Sequence, residues 1–190
     1  DMIWKNLHIY VEKKSKSKFS QHFLSIVAFI ESIFFPIPPD LILMPIVYFN
    51  PNKFLVTALN CTIFSVIGGA FGYFIGYFIF EAVQSYFDMS KQTEFINFYN
   101  DWGIFAIFLG GFTPIPYKII ALTSGYSQFN FIYFIFLSVI SRGLRFFIIA
   151  FIIKQFGDIG MQILKRNKLL IFFLIPIGIV FLIYLLFYHD

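Results

Sequence analysis

The sequence contains little cysteine, little histidine and little charge. Its one cysteine, Cys61, excludes an intrachain disulfide and a metal site built from cysteines. The three histidines lie near the two ends of the chain without the spacing of metal ligands: His8, His22 and His189. We therefore expect no metal site and no cofactor.

The apolar segments also lack a nucleophile with its base. Ser124 and Ser141 carry hydroxyl groups that could attack a substrate, but no histidine shares an apolar segment with them. An intramembrane hydrolase would need such a base. We expect that the protein is not an enzyme.

Hydrophobic residues dominate what is present. They make up 59% of the chain, 30 residues are phenylalanine, and the mean hydropathy is +0.80. A chain of 190 residues cannot bury so much apolar surface in one soluble core, so we expect an integral membrane protein. Because basic residues flank the apolar runs, the net charge of +4 indicates membrane topology and not nucleic-acid binding.

Three segments are apolar enough to cross a membrane, which takes about 20 residues of helix. They are residues 54–80, 129–153 and 169–188. The first and the last carry no charge, whereas 129–153 carries Arg142 and Arg145 near its middle.

Prolines interrupt two further apolar segments, 23–49 and 103–126. Proline lacks a backbone N–H and breaks a helix, so each segment divides into two limbs that are too short to span alone. We expect two re-entrant hairpins, each entering and leaving the membrane by one face; a proline-kinked full span is the alternative. The prolines of the two re-entrant loops are Pro36, Pro38, Pro39, Pro114 and Pro116.

The two interrupted segments form an internal repeat. A shift of 78 residues aligns the prolines of the first with those of the second, and a long apolar span follows each copy. Basic segments at 1–22 and 154–168 are expected inside the cell and the acidic loop 81–101 outside, which gives the copies opposite topology.

The predicted fold class is an all-α membrane protein. It is an inverted repeat of re-entrant hairpin plus transmembrane helix, with an additional C-terminal transmembrane helix. The predicted regions are a basic cytoplasmic arm (1–22), a membrane domain (23–156, with hairpin 23–49, span 54–80, hairpin 103–126 and span 129–153), and a basic loop with the C-terminal helix (157–190).

Five ionisable residues lie inside the apolar segments: Glu31, Asp40, Lys118, Arg142 and Arg145. Each costs about 2.5 to 3.5 kcal/mol on insertion scales if it faces lipid, so we expect them to face the protein interior. Three cations against two carboxylates favour a bound anion. We assign Lys118, Arg142 and Arg145 to substrate binding and Glu31 and Asp40 to proton coupling; the alternative is a set of internal salt bridges.

Small residues recur at helical spacing in the span 54–80. Gly68, Gly72 and Gly76 are four residues apart, and this spacing lets helix backbones approach closely. We expect the glycine face to pack against the hairpins.

Taken in order, these residues resemble the DedA family, whose core is called the VTT or SNARE-associated domain. The resemblance rests on Glu31, Pro-x-Pro-Pro-Asp at 36–40, the glycines that end in Gly76, the Phe-x-Pro loop at 112–118, and Arg142. It covers about residues 23–156. The second loop, Thr-Pro-Ile-Pro-Tyr-Lys, is similar to that of one branch of the family.

The resemblance implies two facing re-entrant loops and the transport or scrambling of lipids. Bacterial members are linked to recycling of undecaprenyl phosphate across the inner membrane, coupled to protons or sodium. The expected partners are therefore membrane lipids, including a polyprenyl-phosphate-like substrate. One departure is that the common family loop reads R-F-x-P-x-x-R, whereas Gly111 precedes Phe112 here and Lys118 falls one position after the second arginine.

Two other functions stay open from the sequence. A small-ion channel or a proton-coupled small-molecule transporter would use the same intramembrane charges. A structural membrane-assembly protein would keep them as internal bridges.

Overall fold

The computed structural model describes residues 15–17, 19–34, 38–83, 89–113 and 116–166. Regular structure in this part of the chain is helical, without strands. Its elements are α1 (Phe19–Glu31), α2 (Asp40–Phe49), α3 (Phe54–Val83), α4 (Met89–Phe112), α5 (Tyr117–Tyr126) and α6 (Phe131–Arg166), and a 3₁₀ turn over Pro51–Lys53 joins α2 to α3. The predicted all-α class is therefore confirmed for these residues.

Several predictions concern residues outside this description. They are the greater part of the basic arm, the loop prolines Pro36 and Pro114, and the C-terminal transmembrane helix. The end of the arm is helical, because α1 begins at Phe19 and not at the first residue of the apolar run. The side chain of Gln21 donates to Thr57 Oγ1 on α3 at 2.8 Å, which holds this first turn in place.

Two helices are long and apolar enough to cross a membrane, by length and composition. They cover Pro51–Ala82 and Phe131–Ile159, with mean hydropathies of 1.8 and 2.0. They correspond to the predicted spans 54–80 and 129–153. Neither α3 nor α6 contains a proline, which permits helices of this length.

The helices break at both proline segments. The first interruption lies between α1 and α2, where Pro38 and Pro39 precede Asp40, the first residue of α2. The second interruption lies between α4 and α5, where Pro116 has an extended conformation (φ −60°, ψ 106°) before Tyr117. Proline fits the start of a helix but disfavours helical structure in the residue before it, so the limbs end here.

The predicted loop over 81–101 is wrong for its greater part. Helix α4 begins at Met89 and continues to Phe112, so one helix contains part of the predicted loop and the first limb of the predicted hairpin. Residues 89–101 precede the apolar run at 103–112 and are more polar than it, but they contain no proline or glycine, so they remain compatible with helix. Hydropathy locates a membrane segment and not the end of a helix.

The predicted basic loop after the second span is also largely helical. Helix α6 begins at Phe131, where the side chain of Asn130 accepts from the N–H groups of Ile132 and Tyr133 at 3.0 and 3.2 Å. It then continues to Arg166 across a kink at Gly157 (φ 49°, ψ −118°). Glycine adopts this left-handed φ without the steric cost of a side chain.

Helices α3 and α6 pack against each other and divide the buried residues into two clusters. The aliphatic cluster joins α1, α2, the first half of α3 and the later part of α6. Its buried residues are Leu24, Ala28, Leu43, Met44, Ile46, Val47, Ala58, Cys61, Phe146, Ile149, Ala150 and Ile153. The aromatic cluster joins the second half of α3 with α4, α5 and the start of α6, through Tyr73, Tyr99, Ile107, Tyr117, Ala121, Phe129 and Phe134.

Backbones of α3 and α5 come into direct contact at two glycines. A Cβ at Gly76 would overlap the carbonyl oxygen of Leu122, and a Cβ at Gly125 would overlap that of Tyr73. The close approach of these helices therefore requires glycine on both sides.

Candidate functional site

Helix α6 carries two buried arginines on one face. Arg142 and Arg145 are three residues apart and only 2% and 5% exposed. Nη2 of Arg142 donates to Oε2 of Glu31 at 2.9 Å, and Nη2 of Arg145 donates to Oδ2 of Asp40. We call these four residues the charged cluster.

The two carboxylates flank the first interruption. Glu31 is the last residue of α1 and Asp40 is the first residue of α2, so the ion pairs attach both edges of the interruption to α6. Asp40 is fully buried, and its Oδ1 has no hydrogen-bond partner among the described residues. The Glu31 side chain is 14% exposed. The charged cluster therefore has a dry end at Asp40 and a more open end at Glu31.

The second interruption reaches the same face of α6 through its backbone. Nη1 of Arg145 donates to the carbonyl oxygen of Thr113 at 2.6 Å, one residue after the end of α4. A single guanidinium thus bonds to a carboxylate at the first interruption and to a carbonyl at the second. The two interruptions meet at α6.

Hydroxyl and aromatic groups fix the orientation of Arg142. Its Nε donates to Ser65 Oγ at 2.6 Å, and Ser65 Oγ lies 2.8 Å from Ser32 Oγ. The guanidinium carbon lies 4.7 Å from the ring centre of Tyr117 and 4.9 Å from that of Phe146. Cation–π contacts of this length are favourable when the cation is removed from water. Arg142 is therefore held through one ion pair, one hydroxyl and two rings.

Lys118 lies apart from the charged cluster. Its Nζ donates to the carbonyl oxygen of Phe34 at 3.0 Å, which joins α5 to the first interruption. Among the described residues no carboxylate lies within 4.0 Å of this ammonium group, and the residue is partly exposed. Of the five predicted ionisable residues, the structure pairs four and leaves Lys118 with a carbonyl partner.

The predicted glycines lie where both interrupted segments contact α3. Gly68 faces the carbonyl of Phe29 near the end of α1, and a Cβ at Gly72 would lie 3.1 Å from the Cβ of Ala121 on α5. Gly76 faces the backbone of α5, as described above. Of the predicted loop prolines, the three in described positions, Pro38, Pro39 and Pro116, directly precede α2 and α5.

Sequence reasoning missed the uncharged partners of the charged cluster. Ser65, Thr113 and Tyr117 supply hydroxyl, carbonyl and ring contacts to the arginines, and the hydroxyl of Ser32 contacts Ser65 and Glu31. A usable signal existed for one of them, since Ser32 follows Glu31 directly in the sequence and donates to its carboxylate at 3.4 Å. Polar residues beside an intramembrane charge are candidates for its partners.

The charged cluster contains groups that can bind anions and exchange protons. Guanidinium groups bind phosphate through paired N–H donors, and carboxylates released from them can take up protons. Within the described ranges no group of three or more histidine, cysteine, aspartate or glutamate residues could hold a metal ion.

Comparisons with known proteins give two similar bacterial chains. An uncharacterized protein of Haemophilus influenzae is 38% identical over 140 residues, which cover 72% of this chain and 73% of that protein. An uncharacterized protein of Histophilus somni, described as a homologue of HI0703, is 34% identical over 137 residues, covering 70% of this chain and 72% of its own. No family model matches the chain, and no solved structure matches it.

Proposed function

This chain belongs to the family of the uncharacterized Haemophilus influenzae protein, and we propose that it is a multi-pass inner-membrane transporter or scramblase of lipids. Its substrate is a lipid with a phosphate-bearing head group, of the polyprenyl-phosphate kind. Transport is coupled to a proton or sodium gradient. The N-terminus lies on the cytoplasmic side, and the two interrupted segments are re-entrant.

The outer surface supports insertion in a membrane. Large apolar side chains are exposed along the whole of α3, including Val56 at 59%, Phe71 at 55% and Phe78 at 62%. Further exposed residues continue this surface on α4 and α6, such as Phe98 and Ile132. An apolar surface of this extent is unfavourable in water and is matched by lipid.

One observation carries the proposal: a charged cluster lies inside this apolar shell, where the two interruptions meet. Buried charges in a membrane protein are costly and usually mark a substrate or ion pathway. The arginines supply the planar donors that bind phosphate oxygens in pairs. Arg142 is the better candidate for substrate contact, because its partner Glu31 lies at the more open end of the cluster.

Ion pairing links substrate binding to protonation. A phosphate that binds Arg142 displaces Glu31 from the guanidinium. The carboxylate then loses its counter-ion in a low-dielectric site, where the neutral form is favoured. Anion entry and proton uptake at Glu31 are therefore coupled. Asp40, at the first interruption, and Arg145, which also bonds to Thr113 at the second, form the second pair at which the same exchange can occur.

A second candidate is a structural membrane-assembly protein, and the completeness of the pairing favours it. Both arginines contact carboxylates, and Arg145 also bonds to Thr113, so the charged cluster holds both interruptions against α6. If the cluster is purely structural, the charges must be complementary, but it does not matter which helix carries the carboxylate and which the guanidinium.

The test is lipid translocation by the purified chain in liposomes, with and without an imposed proton gradient. A fluorescent phosphatidic acid in one leaflet reports flipping as it becomes protected from a chemical quencher. We expect Arg142→Lys to lose most translocation, since the planar fork is lost. Glu31→Gln and Asp40→Asn should remove the pH dependence before they remove binding.

Exchanging the charges separates the two candidates. Glu31→Arg combined with Arg142→Glu keeps a complementary pair but moves the guanidinium from α6 to α1. The transporter predicts a folded and inactive variant. Lys53→Gln, in the exposed turn before α3, is the control for removal of a positive charge. Full translocation by the exchanged variant would show that the charges are structural bridges.

A further inference from the structure

The positive charge available to an anion lies at Lys118 and not in the charged cluster. Each arginine of the cluster has a carboxylate partner, so two carboxylates and two guanidiniums neutralise each other. In the described part of the chain, the ammonium of Lys118 donates to the uncharged carbonyl of Phe34 and has no carboxylate within 4.0 Å. Counted over the residues that the structure describes, the interrupted segments therefore present one cation without a carboxylate partner, and it is partly exposed.

The position of this ammonium group is well suited to a ligand that enters between the interruptions. Lys118 is the second residue of α5, directly after the second interruption, and its partner Phe34 belongs to the first. An ammonium carries three N–H donors, so the bond to the Phe34 carbonyl leaves two of them for an anion. The start of the ten-residue helix α5 adds the positive end of a helix dipole.

Exposed apolar side chains flank the ammonium group. Phe34 is 66% exposed and Ile119, next to Lys118 in the chain, is 50% exposed. A free phosphate ion gains no favourable contact from apolar side chains. A lipid places its charged head group on the cation and its acyl chains along the apolar side chains, so the surroundings favour a lipid over a free ion.

We propose that Lys118 and the Phe34 carbonyl form the entry site for the phosphate head group of an anionic lipid, which binds there before any contact with the arginines. This inference rests on the proposed function and deepens it by separating capture at Lys118 from exchange at Arg142. Capture leaves both ion pairs intact. It therefore requires no conformational change and no proton.

Binding is measured without transport, on the full chain in detergent micelles. Ligands that bind the native state raise the midpoint of thermal unfolding by mass action. Unfolding is followed through reaction of a thiol dye with Cys61, which is the one cysteine of the chain and fully buried. The probes are dihexanoyl phosphatidic acid, dihexanoyl phosphatidylcholine and inorganic phosphate.

Three variants are compared with wild type: Lys118→Gln, Lys118→Arg and, as the matched control, Lys53→Gln. Glutamine keeps N–H donors but has no positive charge, so Lys118→Gln tests the charge, and Lys118→Arg restores it on a longer donor side chain. We expect Lys118→Gln to weaken phosphatidic acid binding about tenfold, the effect of losing one charge-assisted hydrogen bond. Lys118→Arg and Lys53→Gln should bind within about threefold of wild type, which is 0.65 kcal/mol at about 25 °C by RT ln K.

Each outcome decides the proposal. Undiminished phosphatidic acid binding by Lys118→Gln would overturn it, as would equal protection of wild type by inorganic phosphate or by phosphatidylcholine. If the expected binding pattern is found but liposomes show no translocation, the proposed function fails and the lipid site at Lys118 stands. If translocation is found but Lys118→Gln binds phosphatidic acid as tightly as wild type, the site fails and the function stands.

Discussion

The two halves of the described chain, α1 to α3 and α4 to α6, have the same order of elements but contribute opposite charges to the charged cluster. In each half a ten-residue limb, α2 or α5, precedes a long helix. The carboxylates of the charged cluster come from the first half and the guanidiniums from the second. Neither half can neutralise its buried charges alone, so the ion pairs make the two halves depend on each other.

The comparison extends to how each half is packed. The aliphatic cluster holds the limbs of the first half mainly through hydrocarbon contacts. The aromatic cluster holds the limbs of the second half partly through hydroxyl groups, such as Tyr99 to Ser124 at 2.7 Å and Tyr117 to Ser138 at 2.6 Å. Hydrocarbon packing has no preferred direction, whereas hydroxyl bonds specify a single arrangement. The aromatic cluster therefore fixes the orientation of α5 through directional hydrogen bonds.

The largest effect is expected from breaking the buried ion pair between the halves. Asp40→Asn removes the negative charge that Arg145 contacts at the first interruption, in a site that is closed to water. We expect a loss of about 3 to 5 kcal/mol in the free energy of unfolding. Glu31→Gln should cost less, because the Glu31 side chain is 14% exposed and water can replace part of the interaction.

Titration with a denaturing detergent, followed through the reactivity of Cys61, measures both losses. The control is Glu94→Gln, which removes a carboxylate from the exposed surface of α4. Equal losses for the Asp40 and Glu31 variants would mean that the two ends of the charged cluster do not differ in access to water.

The next largest effect is expected at the glycine contact between α3 and α5. In Gly125→Ala the new methyl group meets the carbonyl oxygen of Tyr73 on a helix backbone that cannot move aside easily. Overpacking of this kind costs about 1 to 3 kcal/mol and sometimes more. Gly143→Ala is the matched control, because its Cβ would lie at an ordinary 3.7 Å from Thr62 Cγ2. A Gly125→Ala variant that unfolds at the temperature of the control would contradict the close approach of the two helices.

Sequence reasoning located the long helices and the breaks between limbs, because apolar length and proline act locally. It misplaced the ends of α4 and α6, since the residues that end an apolar run do not end a helix. The repeat was aligned by a shift of 78 residues on its prolines, whereas the helices repeat by 77, with Asp40 and Phe54 matching Tyr117 and Phe131. Matching the prolines aligns the two sequence motifs, but the residue at which a helix begins depends on the turn that precedes it.

The site was predictable as a list of charges and not as a set of pairs. Intramembrane charges are conspicuous in an apolar sequence, so the five ionisable residues could be found directly. Which carboxylate meets which arginine depends on how α1 and α2 lie against α6, and no local pattern encodes that. Under the 77-residue shift Ser65 matches Arg142, and these two residues bond to each other across the halves. That contact follows only from the tertiary arrangement.

A moderate effect is expected from the hydroxyl groups of the aromatic cluster. Tyr99→Phe and Tyr117→Phe each remove the hydrogen bond to a buried serine while keeping the ring, at a cost of about 1 kcal/mol. Because the partners Ser124 and Ser138 are also fully buried, they lose a bond without gaining water. The double variant Tyr117→Phe with Ser138→Ala should recover part of the loss. No recovery would mean that the two hydroxyl groups do not interact.

The smallest effect is expected at Tyr48. Its hydroxyl group forms a hydrogen bond between α2 and the part of α6 that follows the kink. Its hydroxyl donates to Asp158 Oδ1 at 2.7 Å, one residue after Gly157, in an exposed position. Water can replace a bond at such a site, so Tyr48→Phe should change the free energy of unfolding by no more than about 0.5 kcal/mol. The same substitution is thus expected to matter in the aromatic cluster and not here, although the distances are similar. Parallel unfolding titrations of Tyr48→Phe and Tyr117→Phe measure the difference. A loss at Tyr48 as large as that at Tyr117 would show that the segment after Gly157 is held firmly against the first half, and that burial is not what separates the two tyrosines.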